Sequence, residues 1–122
     1  MEAPGSRFFF WWAYNASEPN LKLKWDLIPL DTQILVLHGP PYGIGDKAPR
    51  VNDVGYEHTG SPSLTEKLKT LTNLKLVIWG HIHGEYGVYK MPELPNTILA
   101  NVSLMNDKYQ PVNKPMVFDL EI

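Results

Sequence analysis

The chain has no cysteine. That excludes disulfides and thiolate metal sites, so any bound metal must be held by histidine, carboxylate, amide or water. It also lacks an excess of charge of either sign. The formal net charge is −2 and the isoelectric point is near 6.0, which gives a phosphate backbone or an anionic membrane no electrostatic hold, and no nucleic-acid partner is expected. Long hydrophobic runs are missing as well. The longest aromatic run, "FFFWWAY" at residues 8–14, is far shorter than the roughly 20 residues a membrane-spanning helix needs. The opening Met1-Glu2, with Pro4 and Gly5, has neither the basic nor the apolar block of a secretory signal. These absences predict a cytoplasmic protein with no membrane partner. Two N-x-S triplets, at Asn15 and Asn101, would matter only in a secretory setting.

What is present is enough for a single domain, residues 1–122, with a modest core. Eleven prolines and nine glycines divide it into short pieces. The aromatic content of Phe8 to Tyr14 predicts a strand, packed as core or sheet edge. A short helix follows, opened by Ser17 with Pro19 in its first turn and stopped by Pro29, with Leu21, Trp25 and Ile28 on one face. "QILVLH", residues 33–38, is apolar without alternation, which predicts a strand buried on both faces. After a polar loop to about residue 60, "SPSLTEKLKTL" reads as a helix with a Ser63/Glu66 capping box and a Leu64, Leu68, Leu71 stripe. "KLVIWG", residues 75–80, is a second apolar strand, and further strands are expected at 97–103 and 115–121. A crossover helix between the two apolar strands implies a parallel pair and an α/β fold.

Both apolar strands run into histidine. His38 closes the first, while His81 and His83 follow the second in "GHIHG", and ligands of open α/β sheets gather beyond the carboxyl ends of the strands. If "HIH" stays extended, side chains two apart share a face, so His81 and His83 can reach one ion or two adjacent ions. Gly80 and Gly84 leave room for the backbone to bend close to a ligand. Neutral imidazole suits zinc, iron, manganese or nickel. His58 in "GYEHTG" reads as a surface-loop histidine, and Asp46 and Glu85 as loop carboxylates near enough to join the site.

"LVLHGPPYGIGD", "LVIWGHIHGEYG" and "ILANVSLMNDKYQPVNKPMVFDL" together resemble the C-terminal half of the calcineurin-like metallophosphoesterases, and within them the metallophosphoesterase-domain-containing subgroup. The resemblance runs from about Gly5 to the end. It implies part of a metallophosphoesterase sandwich, with mixed β-sheets flanked by helices. It also implies a hydrolase that acts on small phosphoesters, phosphodiester or nucleotide-like, through two divalent ions (manganese, iron, zinc or nickel). By resemblance His38 and His81 share one ion and His83 serves its neighbour; the resemblance does not identify which residues are catalytic or bind substrate.

The family's Asp-x-His element, its bridging aspartate after glycine and its Asn-His pair have no counterpart here. No Asp is followed two residues later by His, no Asn directly precedes a His, and the one Gly-Asp pair, Gly45-Asp46, lies after His38. Met1 is therefore expected to fall in mid-domain, as in a truncated gene product, an isoform or a split protein whose partner is the missing N-terminal half. On that expectation the chain alone holds at most one ion. The alternative is a non-catalytic domain that binds metal or a partner without turnover.

Overall fold

The computed structural model describes residues 17–50 and 54–121 with their side chains, and residues 2–3 and 8–11 as strand backbone. Ile34–Leu37 (β3) and Leu76–Trp79 (β6) are short runs of branched and bulky apolar residues, which fit a pleated, covered surface. They pair in parallel, Ile34 opposite Leu76 and Val36 opposite Ile78. Among the described residues these two lie at the middle of a six-stranded mixed sheet of order β1-β2-β3-β6-β8-β7. Its other members are Glu2–Ala3 (β1), Phe8–Trp11 (β2), Gly87–Met91 (β7) and Leu94–Asn101 (β8). β2, β3, β6 and β8 are mutually parallel, while β1 and β7 run antiparallel at the two edges. Residues 12–14 of the expected first strand, and the side chains of the aromatic run, lie outside the described residues.

Glu18–Trp25 (α1) and Pro62–Leu68 (α2) flank the sheet and pack on each other. The faces expected from the sequence do point inward. Trp25 and Ile28 of the first helical segment, and Leu64, Leu68 and Leu71 of the second, join Leu35, Leu37, Val77 and Leu99 in one buried cluster. Each fully buried leucine there contributes about 2 kcal/mol of transfer free energy. The opposite face is less covered along β3, where Ile34 and Val36 are half-buried, while on β6 Ile78 is half-buried and Leu76 buried. That corrects the expectation of burial on both faces: both helices pack on one side.

Three further differences have local causes. The second helix is capped by Ser61, not by a Ser63/Glu66 box. Ser61 Oγ accepts from Leu64 N at 3.3 Å, and the Ser63 N–H is already taken by the Glu18 carboxylate at 2.6 Å, which leaves Glu66 to bond Lys69 Nζ. The polar loop before that helix contains a hairpin, Lys47–Pro49 (β4) against Tyr56–His58 (β5). Residues 115–121, expected as a strand, form no ladder among the described residues. β7 occupies the place beside β8 instead, although Met116, Phe118 and Leu120 keep the half-buried alternation of an extended segment.

Candidate metal centre

The parallel register sets the ends of β3 and β6 side by side. Gly80 N donates to His38 O at 3.2 Å, and the His38 and His81 rings lie 4.6 Å apart, tilted by 41°. His81 reaches this position at φ 68°, the left-handed region that a non-glycine residue adopts only when its surroundings impose it. What imposes it is the residue after it. Ile82 is buried, its N–H donates to Gly80 O at 2.7 Å, and its carbonyl accepts from the buried Asn101 Nδ2 at 2.7 Å. Asn101 Oδ1 in turn accepts from Ser103 N. Asn101, which the sequence marked only as part of a sequon, is thus the clamp that shapes the histidine loop.

Because the chain turns at His81 and enters a 3-10 turn at His83–Glu85, the "HIH" segment is not extended, although both histidines line one cleft. His83 packs edge-on against Tyr109, ring centres 5.3 Å apart. Among the described residues no group of three or more histidine, aspartate or glutamate side chains is placed to hold one ion. The donor set therefore fits an ion in part, with two imidazoles from His38 and His81. At the base of the same loop the buried Ser103 Oγ has no partner among the described residues, and it lies 3.4 Å from where a Cβ on Gly80 would sit. Partial burial, and the His81 imidazole beside it, hold His38 below the ordinary histidine value. That favours neutral imidazole, the metal-binding form.

The carboxylates are less alike than the sequence suggested. Glu85 is a junction, with Oε1 accepting from Lys47 N at 2.9 Å and its carbonyl accepting from Tyr89 Oη at 2.7 Å. Asp46 is not a solvated loop residue but fully buried. Its Oδ2 accepts from Gly43 N at 3.0 Å and Gly60 N at 2.9 Å, while Oδ1 meets His58 Nδ1 at 2.6 Å. His58, expected as a plain surface histidine, is exposed but anchored by this contact. Burial pushes the Asp46 carboxyl up, but the bonds from His58, Gly43 and Gly60 outweigh it and hold the group below the ordinary aspartate value.

A depressed folded-state pKa means that the carboxylate's stabilisation is complete above the unfolded value of about 4 and is lost as pH falls through the lower folded value. Denaturant unfolding measured from pH 6 down to pH 2 is therefore expected to show a steeper acid loss for the native chain than for Asp46→Asn. Parallel acid limbs would remove Asp46 as the cause.

A cleft of about 280 Å³ opens beside the histidine loop, lined by Lys47, Pro49, His81, His83, Asp107 and Tyr109. His83 also borders a polar recess of about 440 Å³ with Tyr86, Asn106 and Gln110. At Gly84 a Cβ would meet the Asp107 carboxylate, 2.6 Å from Oδ2, an exposed side chain that would have to swing aside.

Comparison with known proteins points one way. The chain is 34% identical over 119 residues to metallophosphoesterase domain-containing protein 1 of Homo sapiens and of Mus musculus, a match covering 97% of this chain and 34% of each relative. It is 30% identical over 112 residues to a UPF0046 protein of Caenorhabditis elegans, covering 91% of this chain and 26% of that one. The chain thus spans about a third of the length of the curated relatives it matches. No family model matches it.

Proposed function

We propose, from the premise that this chain is a relative of the metallophosphoesterase domain-containing proteins along nearly its whole length, that it forms one side of a metal-dependent phosphoesterase centre. The observation that carries this reading is the approach of His38 and His81 at the ends of adjacent parallel strands. In it these two residues hold one divalent ion, His83 stands toward a second, and the remaining donors come from sequence outside these 122 residues. When bound, the ions would supply Lewis acidity toward a phosphoryl oxygen of a small phosphodiester or nucleotide-like ester. The chain's own part is to hold two imidazoles in register and to fix the loop through Asn101. The alternative is a non-catalytic domain that binds metal or a partner without turnover, the two imidazoles having no third donor beside them among the described residues.

The metal site is tested by calorimetric titration of zinc, nickel and manganese into the chain. His81→Gly is the informative variant, because it removes an imidazole while easing a left-handed backbone. It is expected to melt no lower than the native chain and to bind zinc about tenfold more weakly or worse, as loss of one of few ligands implies. His38→Ala should match it in binding, and His58→Gln, whose ring belongs to Asp46, should bind as the native chain does. Equal losses from the His58 and His81 changes would sink the assignment.

A further inference from the structure

Lys47 stands out because its backbone is fixed and its charge is not used. The residue before it, Asp46, is buried and bonded through both carboxylate oxygens, and the Asp46 carbonyl accepts from both the N–H and the hydroxyl of Thr59, at 3.0 and 2.8 Å. Lys47 itself pairs with His58 across the hairpin, and its N–H donates to Glu85 Oε1 in the turn that carries His83. Position 47 is thus tied to a buried anchor on one side and to the histidine loop on the other. Lys47 lines the same 280 Å³ cleft as His81 and His83, and among the described residues its ammonium forms no ion pair.

We infer that Lys47 is a substrate-binding residue, holding the non-bridging oxygens of a phosphoester in the cleft beside His81 and His83. This rests on the phosphoesterase reading for the identity of the anion, while the anion site itself rests on the cleft. An ammonium is a compact donor of up to three hydrogen bonds, suited to a tetrahedral oxyanion. The other charge on the cleft wall supports a one-sided placement. The Asp107 carboxylate sits against Gly84 and repels an anion from that wall, toward Lys47. Glu85 is set back by its bond to the Lys47 N–H.

The plain alternative is that Lys47 is a solvated surface lysine whose loss changes nothing at the cleft. Inorganic phosphate titrated into the metal-free chain, with chloride at matched ionic strength as the control, separates the two. The His83 and Tyr109 ring resonances report occupancy of the cleft they line. In the native chain phosphate is expected to shift both saturably and chloride to shift neither. Lys47→Gln should weaken binding about tenfold, the scale of one charge-assisted hydrogen bond, Lys47→Arg should retain most of it, and Lys90→Gln, on the edge strand, should leave it unchanged. Equal binding by Lys47→Gln, shifts confined to residues outside the cleft, or no saturable shift in the native chain would each overturn the inference. If zinc binding proves independent of His38 and His81 while phosphate binding still depends on Lys47, the metal reading falls and the anion site stands. The reverse pair of results removes Lys47 alone.

Discussion

Bis-p-nitrophenyl phosphate offered to the 122-residue chain with manganese is expected to be hydrolysed barely above background. A two-ion hydrolase needs a template that holds both ions and a group that stabilises the leaving oxygen. The described residues bring together two imidazoles and no third donor beside them. Mixing or fusing the chain with the remainder of a matched relative should restore metal-dependent turnover. In that complete protein, His38→Ala or His81→Ala should lower kcat by two orders of magnitude or more, about 3 kcal/mol of barrier. Robust hydrolysis by the chain alone would place catalytic donors within it that this structure does not bring together. Restored turnover indifferent to both histidines would remove them from the centre. Measuring the same variants with zinc in the calorimeter separates lost chemistry from lost metal.

The largest loss of stability is expected from a single methyl group. A Cβ on Gly60 would overlap the Pro41 carbonyl and lie 2.6 Å from Tyr42 N. These are backbone atoms, held by the exchange in which Tyr42 N donates to Ser61 O and Ser61 N to Pro40 O, so they cannot swing aside as a side chain would. The same residue's N–H serves the buried Asp46 carboxylate, and displacing it leaves a buried charge short of a donor. Gly60→Ala is therefore expected to cost about 3 kcal/mol, the upper range for overpacking, with a further loss from the weakened carboxylate contact. Gly39→Ala is the control, since nothing lies within 4 Å of a Cβ there; it should shift stability by less than about 1 kcal/mol. Chemical denaturation of both variants decides the point. A Gly60→Ala chain as stable as the native one would mean that the segments bridged at Pro41 and Ser61 move apart freely.

The sequence was most legible where residue type and spacing repeat one physical demand. The apolar runs of β3 and β6, the Trp25/Ile28 and Leu64/Leu68/Leu71 faces, and the crossover that makes the strands parallel could all be read before the structure. From these followed the meeting of His38 and His81. The hairpin of β4 and β5 was not legible, because its strands are three residues each, mostly exposed, and too short to show a period. Residues 115–121 misled for the opposite reason, since their alternation is real but the ladder beside β8 belongs to β7. At the site itself, what escaped were partners distant in sequence. Nothing local says that Asp46 will be buried under Gly43, His58 and Gly60, or that Asn101 will hold Ile82 beside a left-handed His81. An aspartate among glycines was the available hint for the first, and an asparagine closing an apolar strand for the second.

The parallel pairing of β3 with β6 also sets an order of events in time. Parallel neighbours cannot close as a local hairpin; the chain must first run out through the β4–β5 hairpin and back along α2 before Ile34 finds Leu76. Such non-local pairing comes slowly, after the entropy of a long loop has been given up. The contact between the His38 and His81 rings exists only once that search has succeeded. An ion held by both rings would bind the finished register and not its precursors, so it would act chiefly as a brake on unfolding rather than as a nucleus for folding.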